Sequence, residues 1–378
     1  MKSTRPTPLR FRVPALALAL CVGVVAGCGG GGGGDGGSTQ PEGGTSNPPT
    51  RNAGDSTLVT SVPAPAYAGG SEEFKAFSLL NAERQRCGFG LLRQNAMLDQ
   101  SARGHAFYQL FNNVAGHFQS ASDPYFTGTN PGTRADAAGY NYSMVQENIM
   151  DFSGTANLAN HGPDSVRGLL SAPYHALSML RGMLDVGIAV MSSDTTGTTA
   201  THGPRIIGQF DSGVLQGSTI QKPDSAAVLT YPCEGSAGVA FELRGESPNP
   251  IPGRDLNANP IGQGVMVMVR EGQILSVTAV SMVRTLDGAP VTLRAVMTKD
   301  NDPNGRIGYN EAVVLPDAPL LPGTQYTVTL SVTNQTATGG QQAGQLTSTG
   351  TNPMIAGNGT GAVKLKPFTF TTGGGAAS

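Results

Sequence analysis

The chain has 378 residues, a formal net charge of -2 and only 13% charged residues, with 53 glycines, 26 prolines and no tryptophan. A near-neutral balance without a basic stripe argues against nucleic acid as a partner. Past the N-terminal segment no apolar run is long enough to span a bilayer, and a surface so poor in charge is expected to be rich in Ser, Thr, Asn and Gln.

Lys2, Arg5, Arg10 and Arg12 form a basic head before Val13 to Val25, an apolar run broken mainly by Pro14. About thirteen helical residues reach only ~20 Å, short of a membrane crossing. Basic head, short apolar core and small residues at the exit describe a secretory signal. Its end, Val25-Ala26-Gly27-Cys28, resembles the bacterial lipobox. The resemblance implies cleavage after residue 27, lipidation of Cys28, and a protein anchored outside the cytoplasm to a bacterial membrane, on the periplasmic or surface side of the outer membrane. Residues 28–70 are mostly Gly, Ser, Thr, Asn and Pro. They read as a disordered tether with an end-to-end distance of roughly 35 Å. No Gly-Lys-Ser/Thr follows the glycines, which leaves phosphate binding without its motif.

Residues 71–216 carry a helical period. Phe74, Phe77 and Leu80 repeat on one face, widened by Ala76 and Leu79, and the pattern stops at Gly88 and Gly90. A second helix is predicted from about Met97 to Phe111, with Leu98, Ala102, His105, Ala106 and Gln109 on one side. A third is predicted from about Ser165 to Leu184, with Asp164 as N-cap. Strands are predicted at Val186 to Met191 and Arg205 to Phe210. Helices interleaved with strands point to a layered α/β domain. Residues 217–230 show no period and read as a linker. From 231 to 374 the period is two: Val265, Val267 and Val269; Val291, Leu293, Ala295 and Met297; Tyr326, Val328, Leu330 and Val332; Val363 and Leu365. Short half-buried strands between Gly/Pro/Asn turns suggest an all-β sandwich. With Cys21 in the signal and Cys28 lipidated, Cys87 and Cys233 remain. In an oxidising compartment they are expected to pair, the alternative being two buried free thiols.

Several motifs of the first folded segment resemble, in order, those of bacterial CAP domains, the superfamily of cysteine-rich secretory proteins, antigen 5 and pathogenesis-related proteins, also called SCP-like. They are Leu80-Asn81-Ala82-Glu83-Arg84, Gly88, Leu98, Ala102-Arg103-Gly104-His105-Ala106, His117, Arg134, Gly139-Tyr140, Glu147-Asn148-Ile149, Ser171-Ala172-Pro173-Tyr174-His175 and Val186-Gly187-Ile188-Ala189-Val190. Leu169 departs from the pattern, standing where the family has Trp. The resemblance implies an α-β-α sandwich with an open cleft in which His117, Glu147 and His175 converge. Two imidazoles and a carboxylate can hold a zinc ion with a position open to water. They can also act as an acid/base pair, or form a hydrogen-bonded cluster without turnover. Glu83 reads as solvated or ion-paired, His105 as a core histidine, and His161 and His202, each beside Gly-Pro, as exposed. Neither Gly-x-Ser-x-Gly nor His-Glu-x-x-His is present.

In the second segment Leu321-Pro322-Gly323-Thr324-Gln325-Tyr326 resembles the corner of bacterial Ig-like and fibronectin-like modules, which implies an Ig-like domain serving as a spacer or adhesive surface. Asp300, Asp302 and Asn304 with Glu311 fit the spacing of a calcium loop. No helical period leads into it, and Asp-Pro-Asn-Gly is equally a β-turn sequence. Together these readings give a membrane-tethered binding module for a lipid, cell-wall or protein ligand, with a metal-assisted hydrolase using His117, Glu147 and His175 as the alternative.

Overall fold

The computed structural model describes residues 55–336 and 362–374. The expected signal, Cys28 and most of the expected tether lie outside the described residues. Helix α1, Glu72–Arg86, starts where the Ser71 side chain accepts the Phe74 amide at 3.1 Å, with Glu72 and Glu73 in the first turn. It buries Ala76, Phe77 and Leu80, the predicted stripe. Helix α2, Ala96–Asn112, is capped by Asn95, and a short helix α3, Pro131–Ala137, by Asn130.

A four-stranded sheet has the order β1 (Arg93–Gln94), β3 (Asp185–Ser192), β4 (Arg205–Leu215) and β2 (Tyr142–Ser153). Two glycines identify its faces. A Cβ at Gly187 would lie 2.1 Å from the Asp99 amide of α2. One at Gly208 would lie 2.1 Å from Ser165 Oγ, in helix α4, His161–Ser171. Since neighbouring strand residues face opposite ways, Glu147, Gln209 and Asp211 point toward α2, and Gln146, Asn148 and Phe210 toward α4. Helices therefore cover both faces, giving a helix–sheet–helix layering.

Three local expectations are corrected. The single third helix is two, α4 and α5 (Pro173–Leu180), separated at Ala172, which is extended. Proline disfavours helical backbone in the residue before it. The N-cap is Asn160 at φ +68°, not Asp164. Residues 55–70 are packed rather than loose: the Thr57 amide donates to Lys222 O at 2.9 Å, and the Leu91 amide to Val59 O at 2.8 Å. Val62 and Tyr67 pack on the core, and Tyr67 donates to Asp99 at 2.5 Å. Averaging over the glycine tract hid these few apolar residues.

The stretch 217–230 is a seam, not a free linker. The buried Gln221 side chain donates to Leu91 O and Met183 O at 3.1 and 2.6 Å and accepts the Val59 amide at 3.0 Å. After it come two sheets. One has the order β5 (Val228–Tyr231), β7 (Val265–Val269), β10 (Glu311–Val314), β9 (Met297–Thr298). The other runs β12 (Val363–Lys364), β11 (Gln325–Thr336), β13 (Phe368–Thr372), β6 (Ser236–Val239), with β8 (Gln273–Arg284) also paired to β11. At the predicted corner the Tyr326 hydroxyl accepts the Leu321 amide at 2.8 Å.

The halves are joined. One buried cluster runs from Phe77 and Leu170 through Val267 and Val313 to Phe370. The Cys87–Cys233 disulfide is formed, with Cα atoms 5.5 Å apart. Arg181, in the turn after α5, donates to both Glu311 oxygens at 2.7 and 2.8 Å. Among the described residues no helix is long and apolar enough to cross a membrane.

Candidate functional site

His117 lies in the loop after α2 and Glu147 in β2, and the structure brings them together. His117 Nδ1 donates to Glu147 Oε1 at 2.8 Å. The Glu147 side chain is 1% exposed and the His117 ring 41%. Arg134 of α3, wholly buried, donates to Glu147 Oε2 and also to His117 O at 3.1 Å. Burial alone would raise the Glu147 carboxyl. The His117 hydrogen bond and the nearby positive charge of Arg134 outweigh it and hold the acid below its ordinary range.

The second imidazole at this carboxylate is His105, not His175. His105 Nε2 is 3.8 Å from Glu147 Oε1 but donates to Gly116 O at 2.9 Å, while Nδ1 accepts from Gln119 Nε2 at 2.9 Å. That pattern belongs to a neutral ring. Burial pushes its pKa down to about 4 despite the attraction of Glu147. The expectation of a core histidine agrees with its zero exposure.

His175 is a correction. Its ring Nδ1 lies 3.1 Å from Glu246 Oε1, on the second half of the chain, and the amides of Tyr174 and His175 donate to the same oxygen at 2.7 and 3.2 Å. Ser178 of α5 donates to Gln146 at 2.6 Å, on the α4 face of β2. His175 and His117 therefore belong to opposite faces of the sheet, because the break before Pro173 turns the first turn of α5 toward Glu246.

A zinc ion does not fit the His117–Glu147 pair. Both Glu147 oxygens are taken, one by a buried guanidinium whose charge would repel a cation, and both His105 nitrogens are engaged. Among the described residues no three His, Cys, Asp or Glu side chains converge as a metal site requires. Three of the four expected calcium ligands are engaged elsewhere too. Asp302 accepts the Asn304 and Ile307 amides at 3.0 and 2.9 Å and the Tyr174 hydroxyl at 2.5 Å. Asn304 Nδ2 donates to Asn249 O at 2.8 Å, Glu311 is held by Arg181, and Asp300 is exposed. The segment is a turn docked on Tyr174, as the sequence Asp-Pro-Asn-Gly suits. Of the two readings of Glu83 the ion-paired one holds: it is buried and accepts from Arg86 at 3.3 Å and from Ser236 at 3.2 Å.

Sequence reasoning missed Asp211 and Gln209. Asp211 faces Glu147 across the β2–β4 ladder. Its Oδ1 accepts from Gln209 Nε2 at 2.9 Å, and its Oδ2 has no partner among the described residues. Burial first, and then the Glu147 charge, raise its pKa to about 7. A signal existed: Ser101, His105 and Gln109 recur every fourth residue on the buried side of α2, a polar stripe that must meet polar groups.

No family model matches the chain, and no curated protein does. Solved structures similar to parts of it include the following two. An outer surface protein from Borrelia burgdorferi is 14% identical, covers 38% of this chain and 93% of its own, and has a TM-score of 0.31. An extracellular protein containing a SCP domain from Bacillus anthracis is 18% identical, covers 37% of this chain and 39% of its own, and has a TM-score of 0.28. Likenesses this low carry no argument about fold or function.

Proposed function

We propose that this chain is a bacterial extracytoplasmic lipoprotein, anchored through Cys28, in which a CAP (SCP-like) α-β-α domain over residues 71–216 is followed by an Ig-like sandwich over residues 231–374, and that it works by binding a lipid, cell-wall or protein ligand without turnover. The order of the motifs, helices on both faces of one sheet and the Tyr326 corner support the domains. A disulfide supports an oxidising compartment. The observation that carries the binding reading is the closed charge of the cluster: Glu147 is neutralised by Arg134 and held by His117. What remains for a ligand is the exposed edge of one imidazole, a hydrogen-bonding group rather than an activated nucleophile or a metal-bound water.

The test uses the chain from residue 52, which forms one compact unit, and cell-envelope fragments of the producing bacterium. Wild type is expected to sediment with the fragments, His117→Ala to bind about tenfold more weakly, equal to ~1.4 kcal/mol, and chelator or added zinc to change nothing. A zinc-dependent hydrolysis of envelope material that His117→Ala abolishes would establish the hydrolase instead.

A further inference from the structure

The loop between α2 and α3 presents aromatic rings to solvent. Among the described residues the exposed Phe and Tyr side chains are Phe118, Tyr125 and Phe126, at 71, 54 and 38% exposure, all within this loop. Its backbone is firmly held. The Gln119 amide donates to Thr129 O at 3.0 Å and closes the segment into an Ω-loop. The buried Gln119 side chain donates to His105 and accepts the Thr127 amide at 2.7 Å. The Tyr108 hydroxyl accepts the Ser120 amide at 2.9 Å and donates to Asp123 at 2.7 Å. Asn112 Nδ2 donates to Pro124 O at 3.0 Å.

Tyr125 adopts φ +61°, a conformation unfavourable for a bulky side chain. Its ring stands edge-on to Phe107 and Phe111, with centroids 4.7 and 4.6 Å away. The loop thus combines a fixed backbone, a strained residue and apolar rings in water. Packing on Phe107 and Phe111 accounts for part of the Tyr125 ring, which stays 54% exposed, and burial leaves Phe118 at 71% exposure unexplained. A preorganised geometry of this kind suits a binding platform.

Charge selects the occupant. From Asn112 to Asn130 the one residue among Asp, Glu, Lys and Arg is Asp123, and it is bound by Tyr108. Beneath the loop Arg134 and Glu147 neutralise each other. An anionic surface would find no Lys or Arg in this loop and would meet the Asp123 carboxylate, which the neutral Tyr108 hydroxyl holds without cancelling its charge; a single such acceptor suits the OH groups of an uncharged ligand. The rings alternate with exposed Ser120, Ser122 and Thr129. Aromatic faces carry partial negative charge and attract the polarised C–H groups of a pyranose, while hydroxyls around them exchange hydrogen bonds with its OH groups. We propose that Phe118, Tyr125 and Phe126 of this loop, with His117 next to Phe118 in the chain, bind a neutral glycan strand. The inference rests on the binding-module reading above and names the ligand class for the loop that carries His117.

The test is calorimetric titration of the chain from residue 52 with two neutral probes, the hexasaccharides of β-linked N-acetylglucosamine and of β-linked glucose, alongside the envelope-sedimentation assay. The variants are Phe118→Ser and Tyr125→Asn, the latter because Asn accepts positive φ. Unchanged far-UV circular dichroism and an intact disulfide serve as the folding control. At least one hexasaccharide is expected to bind, with little dependence on salt, and each variant to weaken it about tenfold or more. If neither probe binds while envelope binding persists, the glycan proposal is overturned and the binding module stands. If the envelope assay also fails, the underlying reading fails. Phosphatidylcholine-vesicle binding or self-association, lost in the variants without any glycan binding, would assign the platform to a membrane or to a second copy and overturn it.

Discussion

Replacing Asp211 with Asn should stabilise the protein at alkaline pH and leave it nearly unchanged at acid pH. Asp211 is 1% exposed, and Glu147 is its cross-strand neighbour on the same face. Burial, then repulsion from Glu147, lift its pKa from 3.8 to about 7. At ~1.36 kcal/mol per pH unit, that rise is worth at most about 4 kcal/mol. The direction follows from proton counting. Between the unfolded and folded pKa values the native state holds a proton that the unfolded chain has lost. Stability is therefore fully present below about pH 4, falls by ~1.4 kcal/mol per pH unit, and stops falling above about pH 7. Asn keeps an oxygen for Gln209 Nε2 and cannot ionise. The assay is the urea midpoint of wild type and Asp211→Asn, disulfide intact, at pH 4.5 and pH 8. Relative to wild type the variant should gain about 1 kcal/mol at pH 4.5 and several kcal/mol at pH 8. An equal difference at both pH values would refute the assignment of a protonated, buried acid.

Three further outcomes are expected. Replacing Cys87 and Cys233 with Ser opens a loop with a sequence separation of 146, and in the chain-entropy model this costs up to about 5 kcal/mol, read as a lower denaturation midpoint; equal midpoints for the double variant and wild type would contradict it. Glu246→Ala leaves the Tyr174 and His175 amides unsatisfied at the start of α5 and should cost ~1–3 kcal/mol, with Glu246→Gln, which keeps an acceptor, costing less; a Gln variant as damaged as Ala would show that the cap is not the reason. Proteolytic cleavage within 217–229, followed by reduction, should leave the two pieces associated in native gel filtration; two separately eluting compact pieces would show that the shared core does not hold them.

Much of the fold was readable because local signals agreed with tertiary ones. The stripe of α1, the alternation in β11 and the Leu321–Tyr326 corner each combine periodicity with turn chemistry, whereas β7, expected to be half-buried, is buried at every position. The disulfide followed from counting. Strand β2 was harder, since Tyr142-Ser143-Met144-Val145-Gln146-Glu147 puts polar groups on both faces: one meets the polar stripe of α2, the other meets Ser178. The break at Pro173 was visible in the sequence, yet the helical period on either side of it concealed the stop. The seam at 217–230 lacked a signal, because its order comes from Gln221 reaching backbone carbonyls distant in sequence. His117 and Glu147 were legible as a pair. Their dependence on Arg134 and His105 was not, since a buried guanidinium and a neutral ring are decided by packing.

The fate of His175 explains why the second half of the chain is not a passive spacer. Helix α5 has eight residues, too few to be stable from its own hydrogen bonds. It is held at both ends by the second half. Glu246 receives its first amides, Asp302 receives the Tyr174 hydroxyl, and Arg181, just past its last turn, forks onto Glu311. Between these anchors Ser178 donates to Gln146, next in the chain to Glu147. Strand β2 lies at the edge of its sheet, with β4 as its single strand neighbour among the described residues, so contacts on its two faces govern its position. One face carries His117 and Arg134, the other α5 and, through it, the second half of the chain. The second half thereby fixes the strand that bears the buried carboxylate. His175 is part of that support, and His105, already inside α2, stands as the second imidazole near Glu147.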